Sequence, residues 1–198
     1  QQLIDVINTI RPDHVIVNGG EPLLVGKDYF DELLEITQPY NSTISIVSNL
    51  RDFKKRPDYW VPLFKNPRVD VTTSFQYGSG RKWNKTTVYS EQMFVDMMQL
   101  FKQKVGYVPM FIAVITEENE DKALDHVYLA KKLGTTCRLN GCLPLGCASK
   151  AYPKYKMVDI WLKIKQLGLE QYAGDLGQMY SGGCSFNTKL LCDSTIHL

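Results

Sequence analysis

Histidine and tryptophan are scarce in this chain, three residues of each. The histidines, His14, His126 and His197, are scattered and suggest no metal site. No Ser/His/Asp constellation and no phosphate-binding glycine loop stands out, which sets aside the common nucleophilic-hydrolase and P-loop chemistries. No apolar run nears the length of a membrane span and there is no signal peptide, so the chain reads as soluble and cytoplasmic, with no membrane partner. An excess of one charge is missing as well. Lys+Arg number 23 against 21 Asp+Glu, a net +2, and no block of like charge is longer than Lys54-Lys55-Arg56, so nucleic acid is not an expected partner. Cysteine is absent before Cys137, and the five that follow are an odd number without a secretory signal, which favours buried thiols or metal ligands over disulfides. A starting methionine is lacking too, and the chain is expected to be a piece of something longer.

What is present is a regular alternation. A length of 198 residues suits one sizeable core. The spacing of Leu3, Ile4, Val6, Ile7 and Ile10 predicts a helix over residues 1–10, and a strand follows at 14–18. Further strands are expected at 43–47, 69–75, 108–115 and from 136–139. Helices are expected at 28–37, 90–105, 120–133 and 157–167, with a weak one at 58–65 broken by Pro57, Pro62 and Pro67. Ser90 reads as an N-cap and Gly134 as a C-cap, while Met93, Met97 and Met98 fall on the apolar face of their helix and read as core. Five strand–helix alternations imply an α/β fold with a parallel sheet whose ligand site lies at the C-terminal ends of the strands.

Ligand-type residues are therefore expected at those ends. The stretch 14–24, HVIVNGGEPLL, has the β-branched composition of a strand buried on both faces. It ends in Gly19 and Gly20, which allow a turn and a close approach to a ligand; Glu21 then sits at the mouth, and Pro22 restricts it to extended geometry. An ordinary βα turn would use the same glycines. The string GGEP after a hydrophobic strand resembles the motif by which radical S-adenosylmethionine (SAM) enzymes hold the methionine amino group of SAM. Further matches follow in order. Ser48-Asn49 resembles the TNG or SNG turn of that family, Ser74 falls where members place a group on the ribose or methionine part of SAM, and Arg81 lies where related members bind the SAM carboxylate. Arg81 reads equally as a solvated loop cation. The resemblance also implies backbone contacts to the adenine near Val114 and Ile115, an apolar cover from Leu143, and a P-x-G-x-A segment at 144–148.

By this resemblance the fold is a partial TIM-like (β/α)6 barrel with the first βα unit absent, spanning residues 1–170. Residues 171–198 would form a linker and the start of a SPASM or twitch region, in which Cys184 and Cys192 bind an auxiliary 4Fe-4S cluster. The other reading of that pair is buried thiols. The three-cysteine loop that holds the family's SAM-cleaving 4Fe-4S cluster has no counterpart upstream of Asn18, so either that loop has been left out of this chain or the protein is a degenerate relative. Cys137 reads as core, and Cys142 and Cys147 as loop or pocket lining. The activity implied is reductive cleavage of SAM to a 5′-deoxyadenosyl radical that modifies a peptide or protein substrate, with a reductant such as flavodoxin or ferredoxin. Alternatives are sulfatase maturation, small-molecule dehydrogenation, or a cluster-free SAM-binding or scaffold domain. No catalytic acid or base is assigned.

Overall fold

The computed structural model describes residues 2–78, 81–143 and 152–174. Five strands, β1 (His14–Val17), β2 (Thr43–Val47), β3 (Val69–Ser74), β4 (Met110–Ile115) and β5 (Cys137–Gly141), form one all-parallel sheet in the order β1-β2-β3-β4-β5. Each strand adds beside its predecessor, so the sheet curls in one direction into a half-barrel, a partial TIM-like α/β architecture. The intervening helices are α1 (Gln2–Ile10), α2 (Lys27–Thr37), α3 (Arg51–Lys55), α4 (Pro57–Phe64), α5 (Glu91–Val105), α6 (Ala123–Leu133) and α7 (Lys154–Gln166).

The sheet has two unlike faces. Alternate residues Val15, Val17, Ile44, Ile46, Val69, Val71, Phe111, Ala113, Ile115, Cys137 and Leu139 pack against the helices in two apolar clusters. The first holds a run of rings: Phe30 meets Trp60 edge-on, Trp60 stacks on Phe64, and Phe64 stacks on Phe101. The second is centred on Phe75, stacked on Phe94 at 4.6 Å. The other face of each strand joins neither cluster.

The expected caps are in place. Ser90 Oγ accepts the Met93 N–H at the start of α5, and Gly134 ends α6 at φ +70°. Met97 and Met98 are buried, Met93 packs at the core's edge, and Cys137 is buried with its thiol pushed up to about 12 by burial.

Four expectations need correction. β1 is not buried on both faces; it is an edge of the described sheet, and Ile16 is 47% exposed. The region after β2 holds two helices rather than one weak one. Pro57 sits in the first turn of α4, where its missing N–H costs nothing, and Pro62 is accommodated inside the helix with its side chain exposed. Residues 76–87, whose polar composition reads as a plain loop after β3, lead instead into an antiparallel bridge between Lys82 and Val88 around a turn. Helix α7 starts at Lys154, three residues earlier than its pattern suggests.

Among the described residues no helix is long and apolar enough to cross a membrane. Residues 171–173 return toward the sheet, where Ala173 bridges Cys137 and the Gly174 N–H donates to the Cys137 carbonyl at 2.8 Å. The 144–148 segment with Cys147, and Cys184 and Cys192, lie outside the described residues.

Candidate functional site at the strand ends

After β1 the chain turns through Gly19 at φ +100° and Gly20 at φ +53°. Both angles lie in territory that favours glycine, and a Cβ built on either would meet nothing within 4 Å. The glycines therefore serve the turn and leave open space beside it. Glu21 is extended, at φ −136° and ψ 103°, as a residue before proline should be.

That geometry aims the Glu21 carboxylate across to the end of β2. Its Oε1 accepts from Ser48 Oγ at 2.5 Å and from the Leu23 N–H at 3.4 Å, and its Oε2 accepts from the Asn49 N–H at 2.9 Å. Ser48, 2% exposed, in turn accepts the Leu50 N–H at 2.9 Å. Leu50 occupies the left-handed region at φ +58°, a position that glycine would hold without strain. The carboxylate is thus oriented by charge-assisted bonds from two strand ends and keeps unused lone pairs.

Arg81 comes to the same place from the hairpin after β3. The Tyr89 N–H donates to the Arg81 carbonyl, and the Asn84 side chain closes the turn by accepting from the Thr86 and Thr87 N–H groups. Arg51 secures this hairpin by donating to the Lys82 carbonyl and lying over the Trp83 ring at 5.1 Å, with Lys54 also over that ring at 5.3 Å. Burial holds the Arg81 guanidinium below its ordinary pKa; Arg51 lowers it further, while Tyr89 and Glu21 act in the opposite sense. Tyr89, 4% exposed, is pushed up to about 12 by burial, and Arg81 and Arg51 pull it back. Its hydroxyl and the Arg51 Nε are buried without a hydrogen-bond partner among the described residues. A buried guanidinium within electrostatic reach of a fixed carboxylate, with a buried hydroxyl also in reach, suits a ligand carrying both signs of charge.

The remaining expected residues are placed less evenly. Pro22 is buried and begins a short 3-10 turn. Ser74 ends β3 half-buried on the face away from the helices. Ile115 points the other way, fully buried against the helices, so only its backbone faces the strand ends, and its carbonyl already accepts the Cys142 N–H at 2.9 Å. The Val114 carbonyl accepts from Asn119 Nδ2 at 3.1 Å. Leu143, just past β5, is 63% exposed and free to cover a flat ring. Arg51 and Tyr89 were not expected; the signal for Arg51 is its place two residues past Asn49, at a strand end.

A cleft of about 400 Å³ lies elsewhere, between the start of α5 and α6. Its charges are internally matched, Glu91 with the Tyr77 hydroxyl and Lys132, and Asp125 with Lys122, so it has little to offer a ligand. Among the described residues no group of three His, Cys, Asp or Glu side chains can hold a metal ion. No family model matches the chain, and no curated protein matches it significantly.

Proposed function

We propose that this chain is the SAM-binding barrel of a radical SAM enzyme that modifies a peptide. The observation that carries the reading is an oriented carboxylate after β1, bonded to the end of β2, and a buried guanidinium on the hairpin after β3 that feels its charge. The methionine end of SAM bears an ammonium and a carboxylate, so Glu21 would take the first and Arg81 the second. Gly19 and Gly20 leave room for the approach, Ser74 offers a hydroxyl toward the ribose, and Leu143 an apolar surface toward the adenine. Ser48 and Asn49 orient the Glu21 carboxylate, and Arg51 fixes the hairpin that carries Arg81.

SAM supplies, in this class of enzyme, a 5′-deoxyadenosyl radical that removes a hydrogen atom from the substrate; the protein's share is binding, orientation and exclusion of side reactions. The described residues fit SAM and do not provide cluster thiolates. Anaerobic reconstitution of the full-length natural protein with iron and sulfide, followed by reduction in the presence of SAM, tests the reading. The expected result is iron retention and 5′-deoxyadenosine, both missing from a chain without cluster ligands. SAM binding without either would leave a cluster-free SAM-binding domain, and the enzyme reading would fall.

A further inference from the structure

The inner face of the half-barrel carries its own polar row. Because side chains alternate along a strand, the residues of β5 that face away from Cys137 and Leu139 are Arg138 and Asn140. The register sets Ser74 of β3 beside Ile112 of β4, Ile112 beside Arg138, and Val114 beside Asn140. The floor is therefore apolar, Ile112 and Val114, with Ser74 on one side and the Arg138–Asn140 pair on the other. Two strand spacings of about 4.8 Å separate Ser74 from Arg138.

Both members of the pair are incompletely used. Arg138 Nε and Asn140 Oδ1 are buried and have no hydrogen-bond partner among the described residues. A buried donor and a buried acceptor left open, side by side on one face, are costly unless something else completes them. The inward positions of β1 to β4 include no lysine or arginine, so among the described strand residues Arg138 is the one guanidinium on this face.

We propose that Arg138 and Asn140 receive an acidic residue of a peptide substrate, a reading that rests on the assignment of the strand ends to SAM. The guanidinium takes the side-chain carboxylate as a charge-assisted fork. Asn140 Oδ1 takes a neighbouring peptide N–H. One guanidinium matches one carboxylate. The open acceptor calls for an N–H donor next to that anion, which a peptide has and inorganic phosphate lacks. The methylenes of the acidic side chain lie over Ile112 and Val114.

The test uses nitrogen-15 NMR on the 198-residue chain, following the Arg138 Nε–H and Asn140 side-chain signals. The probes are acetyl-Glu-N-methylamide, its neutral counterpart acetyl-Gln-N-methylamide, and inorganic phosphate. The acidic probe is expected to shift both signals saturably and to bind at least about tenfold tighter than the neutral one. Arg138→Gln should abolish the shift of the Asn140 side-chain signal with the rest of the spectrum intact. Asn140→Asp, which sets a carboxylate against the probe's own, should weaken the binding read from the Arg138 signal at least about tenfold and serves if the first variant does not fold. Saturating SAM should move the Asn49 amide and leave the Arg138 response in place. No saturable shift, equal response to both peptides, tighter binding of phosphate, or displacement by SAM would each overturn the proposal. A silent Asn49 amide with a normal Arg138 response would instead refute the SAM site and leave the peptide site standing.

Discussion

His126 makes a sharp test of how the β3 and α6 segments are held together. Its ring is fully buried, Nε2 accepts the Tyr77 N–H at 3.1 Å, and Nδ1–H donates to the Lys122 carbonyl at 2.8 Å. Both nitrogens are occupied by bonds that need the neutral ring, and burial lowers its pKa from 6.5 to about 4, against the opposing effects of the Lys122 and Ala123 backbone and Asp125. Between those two values the unfolded chain binds more protons than the folded one, so stability rises with pH. The contribution is complete above about pH 6.5 and is lost as the pH falls toward about 4. At about 1.4 kcal/mol per pKa unit the shift is worth about 3 kcal/mol. Asp52 and Glu120 also sit below their ordinary values, but they are present in any variant and cancel in a difference. Urea unfolding of the wild type and His126→Asn, from pH 7 to about pH 4, should show the wild type losing about 3 kcal/mol more than the variant. Parallel curves would refute the reasoning, because the protonation of His126 would then not be linked to folding.

Three further outcomes are expected. Gly20→Ala places a methyl in open space at φ +53°, so urea unfolding should show a loss of only about 1–2 kcal/mol, while SAM affinity by calorimetry falls at least about tenfold. Ser48→Ala removes the bonds to Glu21 and Leu50 and should lower stability by about 1–3 kcal/mol, read as a fall of several degrees in Tm, with weaker SAM binding. Phe101→Ala opens a cavity among Phe53, Phe64 and Tyr107 and should cost about 3–5 kcal/mol in denaturant unfolding, a loss that reflects the core and not the site.

Much of this fold is legible in the residues. Polar–apolar alternation at 43–47 and at the start of 69–74 reflects one face against helices and one face inward, an arrangement that 110–115, apolar throughout, shares only in its burial, and the order of strands along the chain is their order in the sheet. β1 misleads because Val15, Ile16 and Val17 have the composition of a central strand, whereas exposure is set by which neighbours the topology supplies. The five residues of α3 are too few for a periodic signal, and Pro57 and Pro62 hide α4 because proline disrupts a helix only where its ring or missing N–H matters. At the site, Glu21, Ser48 and Asn49 are readable as separate strand ends. Their direct bonding is not, because it joins positions 27 and 28 residues apart and depends on register. Arg51 and Tyr89 escape for a related reason: each acts through a hairpin that no local pattern announces.

The most direct measurement is a calorimetric titration of the chain with SAM, repeated on Glu21→Gln with thermal unfolding alongside. A glutamine keeps the shape of Glu21 but loses the charge that an ammonium would meet and one of the two acceptor oxygens now bonded to Ser48 and Asn49. One SAM is expected per wild-type chain, with an affinity roughly 10- to 100-fold weaker in the folded variant, the scale of one hydrogen bond to a charged group. No saturable binding to the wild type, or equal binding by the folded variant, would contradict that expectation.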